Sequence, residues 1–287
     1  VLVWLISGNG MMAVNHVLAA VSTGGFSSFD HSLADIDSWY SRFAIISISL
    51  CGALPLTLYV VIFSKKWRTG IYDTELLALL SAIALVTLLL SLSFHFNLGM
   101  KFQEALGHAL FLGMSSQTTA GFSTLDLSSI DNGAKLSVII SMLIGGSVGS
   151  TAGGIKLLRL LILLRLIQVV IQRATMPSQA VHYPKLGGKV LEDSEIQRAL
   201  ILILLFIGVI IISWFVFLLH GYAPMDALFE VVSASATVGL SVGISSADMP
   251  ELLKLVLCLD MLLGRLEIIA LLVVLYLPNW IGKRKEL

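Results

Sequence analysis

The sequence predicts an all-α membrane protein in which a unit of membrane helix, pore helix, loop and membrane helix recurs around a central pore. Of the 287 residues, 57% are hydrophobic and only 13% are charged, whereas an ordinary soluble domain has roughly 25% charged residues. Apolar runs reach the ~20 residues that a helix needs to cross the hydrocarbon of a bilayer. A short motif, Thr-x-Gly followed by a bulky apolar residue and Ser, occurs three times between such runs. These observations indicate a helical membrane protein with internal repeats.

The three loops define the repeat. They occupy residues 21–27, 117–123 and 235–241, and their glycines lie 96 and 118 residues apart, which predicts a unit of about one hundred residues. Phe111 and Phe229 each stand eight positions before a loop threonine, and Asn15 takes that place before Thr23. The approach to each loop therefore repeats together with the loop.

Helical segments of two lengths flank the loops. Val1 to Ile6 is too short to cross a bilayer and is typical of the end of a helix, so we expect further residues upstream. Segments 101–116 and 225–234 are too apolar for a surface loop and too short to cross, and we expect re-entrant helices that return as extended backbone. The other predicted segments are a first full span at 39–63, spans at 74–94, 196–219 and 252–277, and a helix at 135–172 that a glycine stretch interrupts.

Charges are distributed unevenly around the loops. The formal net charge is zero, so no nucleic-acid partner is indicated. Acidic residues follow the loops, namely Asp30, Asp35, Asp37, Asp126, Asp131, Asp248 and Glu251. Basic residues lie away from them, namely Lys65, Lys66, Arg68, Lys156, Arg159, Arg165, Arg173, Lys185, Lys189, Arg198, Lys283, Arg284 and Lys285. The positive-inside rule therefore predicts a multi-pass protein of the cell (inner or plasma) membrane whose loops face outside in an acidic vestibule.

The loops have the composition of a cation filter. Rings of backbone carbonyls replace the hydration shell of a cation without a net charge that would trap it. Glycine permits the backbone conformations that this requires, threonine adds a hydroxyl, and the C-terminal end of the preceding half-helix is partly negative. For a single Thr-x-Gly, the alternative is a helix break or close helix packing. Three loops with a common Ser, a common approach and acid on one side favour the filter.

With these loops and Gly264-Arg265-Leu266-Glu267-Ile268, the chain resembles the Trk/Ktr/HKT superfamily of potassium transporters, in its TrkH-like branch. The resemblance covers essentially the whole chain. It implies a pore of four units within one subunit, which dimerises in the lipid bilayer and binds a cytosolic TrkA-like ring of nucleotide-binding domains. It also implies an ion filter formed by Ser22, Thr23, Gly24, Gly25, Thr118, Thr119, Ala120, Gly121, Ala236, Thr237, Val238 and Gly239.

The number of units departs from the superfamily, because this sequence has three loops where its members have four. We expect residues 1–68 to form the second repeat, with its first helix mostly missing, and residues 69–173 to form the third repeat with a broken inner helix. Residues 174–194, with two prolines and paired glycines, are expected to form a cytoplasmic linker, and residues 195–287 the fourth repeat. The first loop, whose glycine or serine usually sets the preference for K⁺ over Na⁺, lies outside this sequence.

A glycine-rich stretch interrupts the helix at 135–172, because so many glycines and hydroxyl residues have little helix propensity. It is expected either to obstruct the pore beneath the third loop and move aside, or to provide close helix packing. In TrkH-like and KtrB-like proteins the matching stretch is an intramembrane gating loop. The resemblance thus implies a gate formed by Gly145, Gly146, Ser147, Gly149, Ser150, Thr151, Gly153, Gly154, Lys156 and Arg265.

Two cations in this set have alternative roles. Arg265 lies near the middle of the last span, where a charge is costly. It is expected to form a positive barrier in the pore or, alternatively, to pair with Glu267 or another acid in a helix interface. Lys156 follows the glycine stretch and either stabilises one form of it or marks a cytoplasmic helix end.

The leading hypothesis for function is passive, channel-like conduction of K⁺ through the carbonyl filter. The alternative is a symporter that couples K⁺ to H⁺ or Na⁺. Its support is weak, because Arg265 is expected to neutralise Asp260 and Glu267, the acids deepest in a span. An intramembrane enzyme is a third class, for which no catalytic pairing or nucleotide loop is found. No cofactor other than the permeating K⁺ is expected, since Cys51, Cys258, His16, His95, His108, His182 and His220 show no metal-ligand spacing.

Overall fold

The computed structural model describes residues 2–64, 73–175 and 184–265, together with residues 268, 273–274 and 276. Their regular secondary structure is helical apart from one short hairpin, which confirms the predicted fold class. The helices are α1 (Leu2–Ser7), α2 (Gly10–Val21), α3 (Trp39–Ala53), α4 (Leu56–Phe63), α5 (Thr74–Asn97), α6 (Phe102–Gln117), α7 (Asn132–Leu143), α8 (Leu157–Thr175), α9 (Asp193–Leu219), α10 (Pro224–Ser235) and α11 (Glu251–Arg265). A 3₁₀ turn at Ser32–Asp35 lies between α2 and α3.

The order of helices repeats as the sequence predicts. A long helix, a half-helix, a loop and an inner helix follow one another in α5–α8 and again in α9–α11, while α2 and α3 supply a half-helix, loop and inner helix. Within the described residues, α5 and α9 are each long and apolar enough to cross a membrane. In each of these units the long helix packs against the half-helix that follows it.

The predicted first full span at 39–63 consists of two helices rather than one. Helices α3 and α4 meet at an angle of 94° across Leu54 and Pro55. Proline has no N–H to donate and its ring clashes with the carbonyl four residues earlier, which here is Cys51. Tyr59 instead donates its hydroxyl to the Cys51 carbonyl oxygen over 2.5 Å. Leu54, immediately before the proline, is extended (φ −82°, ψ 150°), so the apolar run turns sharply.

The predicted re-entrant helices are confirmed as α6 and α10. They contain 16 and 12 residues, fewer than a membrane crossing requires. Residues 111–117 and 229–235, which form their C-terminal halves, are buried throughout. Phe111 and Phe229, which the sequence pairs by their spacing from the loops, are both fully enclosed. The buried ends of the half-helices therefore fix where the loops begin.

The predicted break in the helix at 135–172 is also confirmed, because α7 ends at Leu143 and α8 begins at Leu157. Asp131 caps the start of α7 by accepting from the N–H groups of Gly133 and Ala134. Although partial burial raises the pKa of Asp131, hydrogen bonds from Ser93 and these N–H groups outweigh it and lower the pKa below its ordinary value.

The predicted linker at 174–194 contains structure that the sequence does not predict. Strands β1 (Lys185–Leu186) and β2 (Lys189–Val190) form an antiparallel hairpin. Gly187 and Gly188 form its turn with φ values of 55° and 83°, which glycine adopts without steric cost. In the last predicted span, α11 begins at Glu251, and most residues beyond Arg265 lie outside the described part of the chain.

Candidate pore and gate

The three half-helices end in the same way. Two successive N–H groups beyond each helix donate back to the last turn over 2.8–3.1 Å, as in a Schellman motif. The residue that such a motif places in the left-handed region is usually glycine, but here it is a threonine each time. The three φ values are 51° at Thr23, 53° at Thr119 and 53° at Thr237. The matching geometry confirms that the three loops are structural repeats.

Left-handed threonine is a rare conformation. A β-branched residue with positive φ is a genuine outlier, and such strain costs about 1–3 kcal/mol per residue. Glycine would fit these positions without that cost, yet each loop retains a residue with a hydroxyl. Strain of this kind persists at functional sites, which favours a function for the threonine hydroxyls.

The loop glycines lie at the seams between neighbouring loops. Gly25, Gly121 and Gly239 also have left-handed backbone, with φ values of 68°, 77° and 87°. A methyl group on Gly25 would lie 2.3 Å from the carbonyl oxygen of Ala120, and one on Gly121 would lie 1.9 Å from that of Val238. Only glycine permits these approaches. Within the described part of the chain, nothing lies within 4 Å of the corresponding position on Gly239.

The loop hydroxyls have different surroundings. Thr119 accepts a hydrogen bond at Oγ1 from the N–H of Gly153 over 2.8 Å, which joins the loop at 117–123 to the glycine stretch. Thr118 donates from Oγ1 to Met114 O over 2.7 Å. Thr23 donates to Ser22 O over 2.8 Å, and Ser22 donates to Ala19 O over 3.2 Å. Thr237 Oγ1 has no partner among the described residues.

The loops share one entrance cavity of 600 Å³, which the three loop glycines line. The structure thus brings together residues separated by up to 214 positions in the sequence. Asp30 and Asp126 lie on its wall, and Asp131 lies instead at the start of α7. Hydrogen bonds from the backbone N–H and hydroxyl of Ser128 lower the pKa of Asp126 below its ordinary value.

The glycine stretch lies directly against the inner ends of the half-helices. A methyl group on Gly153 would lie 2.0 Å from the carbonyl oxygen of Ala236, at the end of α10. Thr151 donates from Oγ1 toward Val21 O over 3.1 Å and Gly52 O over 3.0 Å. The stretch therefore contacts all three loop-bearing units.

The two ends of the glycine stretch are tied to each other. Ile144 pairs with Ile155 in a parallel bridge, and the N–H of Gly145 donates to Ile155 O over 3.0 Å. A methyl group on Gly145 would lie only 1.7 Å from Gly153 O, so this closure requires glycine. Between these ends, Gly146 packs against Ala53 O, Ser147 donates its N–H to Ala53 O, and Gly149 and Gly154 have φ values of 77° and 70°.

Both predicted gate cations contact this stretch. Arg265 donates from Nη1 to Thr151 O over 2.9 Å. Lys156 is buried and donates from Nζ to Ala152 O and, over 3.5 Å, to Ser150 O. Arg265, Lys156 and Thr151 line a cavity of 410 Å³. Of the alternatives for Arg265, pairing with Glu267 falls on a residue outside the described part of the chain.

The expected neutralisation of Asp260 by Arg265 is wrong. Asp260 is 2% exposed and accepts from Ser213 Oγ at Oδ1 over 2.7 Å. Asp226, by contrast, forms a salt bridge with Lys135 at 2.8 Å. Arg265 instead donates to the Thr151 carbonyl oxygen in the backbone of the glycine stretch.

Sequence reasoning missed three buried polar residues beside the loops. Gln117 donates to Ile144 O and accepts from Ser141 over 3.1 Å, which links α6 to α7. His16 and Glu230 contact the serine that follows the filter glycine in their own loops. For His16 and Glu230 the available signal was position, since each of these two lies nine residues before the glycine of its loop.

These features define a pore-loop membrane protein, in which repeated half-helices bring loops to a common entrance above a broken inner helix. The chain belongs to the TrkH family, described as a cation transport protein, whose model matches residues 3–279. The sequence-based assignment to this family is therefore confirmed, and with it a transmembrane location.

Known relatives agree with this assignment. The chain is 29% identical over 282 residues to the Trk system potassium uptake protein TrkH of Halomonas elongata, a match that covers 94% of this chain and 56% of that protein. It is 29% identical over 265 residues to an uncharacterized cation transporter of Methanocaldococcus jannaschii, covering 91% and 52% respectively. The chain thus spans about half the length of these curated relatives.

A solved structure has the same fold. The crystal structure of the potassium transporter TrkH from Vibrio parahaemolyticus matches with a TM-score of 0.86 and 27% sequence identity. The match covers 97% of this chain and 61% of that chain.

Proposed function

We propose that this chain is the membrane subunit of a potassium uptake protein, and that K⁺ passes through its loops by passive, channel-like conduction. The observation that carries the proposal is the strained backbone common to the loops, in which a left-handed threonine precedes a left-handed glycine by two residues. Its support from relatives is that proteins named as potassium transporters share the sequence and the fold.

In this proposal the carbonyl oxygens of the loops replace the water around K⁺. Ala120 and Val238 present carbonyl oxygens at the seams where Gly25 and Gly121 approach. The C-terminal ends of α2, α6 and α10 contribute partial negative charge. A fourth loop, which the family resemblance implies, would fit between Gly239 and the loop of Gly25 to close the ring. Its glycine or serine would set the preference for K⁺ over Na⁺.

The glycine stretch, in our proposal, is the gate. It lies against the Thr119 hydroxyl and the Ala236 carbonyl, so an ion leaving the loops meets it next. Arg265 would add positive charge at this place and hold Thr151 in position. Opening would require the stretch to leave Val21, Gly52 and Arg265 together.

The proposed assembly follows the family. The chain would be oriented with its loops and Asp126 outside and α8 toward the cytoplasm, would form homodimers and would bind a TrkA-like nucleotide-binding ring. We retain the division into repeats at 1–68, 69–173 and 195–287, joined by the linker at 174–194. Disulfide cross-linking of paired surface cysteines in native membranes tests the dimer, and labelling of a cysteine at position 126 from outside tests the orientation.

Flux measurements test the central proposal. The intact protein in liposomes should take up rubidium-86 down a K⁺ gradient, and the reversal potential should follow the K⁺ gradient alone. Sodium and proton gradients imposed separately serve as controls. Absence of rubidium uptake by folded protein would overturn potassium conduction.

A symporter that couples K⁺ to H⁺ or Na⁺ remains the second candidate. It is favoured by Asp260, whose Oδ2 is buried and has no hydrogen-bond partner among the described residues. An unpaired carboxyl group inside a membrane segment is a position at which a coupled ion could bind. Dependence of the reversal potential on the second gradient would support this mechanism.

A further inference from the structure

The buried side chains of Glu230 and His16 occupy the same position in two repeats. Glu230 precedes Gly239 by nine residues, and His16 precedes Gly25 by nine residues. Both lie on half-helices, in α10 and α2, and are 3% and 0% exposed. Neither lines the entrance cavity, so both lie behind the loops rather than in the ion path.

Glu230 binds the segment that follows Gly239 in the loop at 235–241. Its Oε1 accepts from Ser241 Oγ over 2.5 Å and from the N–H groups of Val242 and Ile244 over 3.0 and 3.3 Å. Its Oε2 accepts from Ser245 Oγ over 2.8 Å. A buried carboxylate is costly unless several donors satisfy it, and four donors do so here. The carboxylate therefore fixes the backbone that follows Gly239.

His16 makes the equivalent contact with a different chemical group. Its Nδ1 lies 2.8 Å from Met12 O and its Nε2 lies 3.0 Å from Ser27 Oγ. Because Met12 O only accepts, Nδ1 carries a hydrogen and donates to it. The ring also stacks on Phe29 and, at 6.4 Å between centroids, on Phe122 of the next loop. His16 thus connects the first loop in this chain to the second.

The unit that contains Gly121 has no polar side chain at the equivalent position. Leu112 holds the equivalent position nine residues before Gly121 and has no polar group. The backbone of Ser123 is held from outside its own half-helix, since its N–H donates to Ser32 Oγ over 3.2 Å. The N–H of Leu33 in turn donates to Ser123 O over 3.2 Å. Each loop serine is therefore held, but only two are held by the preceding half-helix.

We propose that Glu230 and His16 are positioning residues for ion selectivity, which act through Ser241 and Ser27 to hold the filter glycines at the width that suits K⁺. This inference rests on the proposed function. A filter discriminates cations by the distance and number of its carbonyl oxygens. Loss of the hydrogen bonds behind the loop lets the carbonyl ring relax and accept ions that fit less well.

The test compares Glu230→Ala with Glu230→Gln and Ser241→Ala in the intact protein reconstituted in liposomes. The readout is the ratio of Na⁺ to K⁺ permeability from reversal potentials, which does not depend on the amount of folded protein. Glu230→Ala and Ser241→Ala should each raise this ratio several-fold. Glu230→Gln should keep the wild-type ratio. The amide oxygen still accepts from Ser241, and the Ser245 hydroxyl can accept from the amide nitrogen instead of donating.

Two further variants complete the test. Ser233→Ala is the control on the same half-helix, since the Ser233 hydroxyl is buried and has no partner among the described residues. It should leave the ratio unchanged. His16→Ala should raise the ratio as Glu230→Ala does. A double variant of Glu230 and Ser241 should change the ratio no more than Glu230→Ala alone, since Glu230→Ala already removes the hydrogen bond to Ser241.

Two outcomes separate failure of this inference from failure of the proposed function. If wild type prefers K⁺ but Glu230→Ala and His16→Ala keep that preference, the positioning role is wrong and the filter stands. If wild type conducts neither K⁺ nor rubidium, the filter itself is wrong. Reduced flux at an unchanged ratio would assign Glu230 to folding alone and would also overturn the inference.

Discussion

The guanidinium group of Arg265 donates a hydrogen bond to the carbonyl oxygen of Thr151 over 2.9 Å, across 114 residues of sequence. The contact joins the last inner helix to the glycine stretch at the point where Thr151 also holds the ends of α2 and α3. One residue of the stretch thus receives contacts from two repeats. The proposed closed state depends on this contact.

Replacement of Arg265 by alanine should raise cation flux. The change removes a positive charge from the proposed pathway and a charge-assisted hydrogen bond from the gate, which typically contributes about 1.5–3 kcal/mol. If this contact favours the closed form by that amount, its loss should raise the open population roughly tenfold or more. Rubidium-86 uptake per reconstituted protein measures it. Arg165→Ala, at a partly exposed position of α8 outside the cavity, is the control. Unchanged flux at normal expression would contradict the gating role.

Replacement of Thr151 by valine tests the other side of the same contact. Valine keeps the shape but removes the hydroxyl that bonds to Val21 O and Gly52 O. Loss of one neutral hydrogen bond costs about 0.5–1.5 kcal/mol, so flux should rise by a few-fold. Thr87→Val is the matched control, because the Thr87 hydroxyl is buried on α5, outside the glycine stretch, and has no partner among the described residues. Equal flux in both variants would show that the Thr151 hydroxyl does not hold the gate.

The sequence was sufficient for features that repeat or that depend on local composition. Thr-x-Gly motifs predicted the loops, and glycine content predicted the break between Leu143 and Leu157. Pro55 was visible, but the apolar run around it indicated a single span, and the bend at 94° followed from the missing N–H donor. The left-handed threonines were unpredictable, because their conformation opposes intrinsic preference. The Arg265 contact was equally hidden, since it joins residues that only the tertiary fold brings together.

Replacement of Gly121 by alanine should abolish selective conduction. The added methyl group would lie 1.9 Å from Val238 O, so the seam between two loops would have to open. Gly99→Ala separates this clash from backbone strain, because Gly99 has a φ of 66° but nothing within 4 Å among the described residues. The control should lose only about 1–2 kcal/mol of stability and keep its selectivity. Thermal unfolding and the Na⁺ to K⁺ permeability ratio distinguish the two effects. Normal selectivity in Gly121→Ala would remove this seam from the filter.

Replacement of Asp260 by asparagine decides between a channel and a proton-coupled symporter. Asparagine retains an oxygen that accepts from Ser213 Oγ, so the contact between α9 and α11 should persist. It cannot exchange a proton in the physiological range. If conduction is passive, Asp260→Asn should show wild-type flux and a reversal potential that follows K⁺ alone at every external pH. Ser213→Ala controls for disturbance of the helix contact. In a proton-coupled symporter, wild type would instead shift its reversal potential with the pH gradient and Asp260→Asn would lose that shift, because the coupled proton would have no carboxylate to bind.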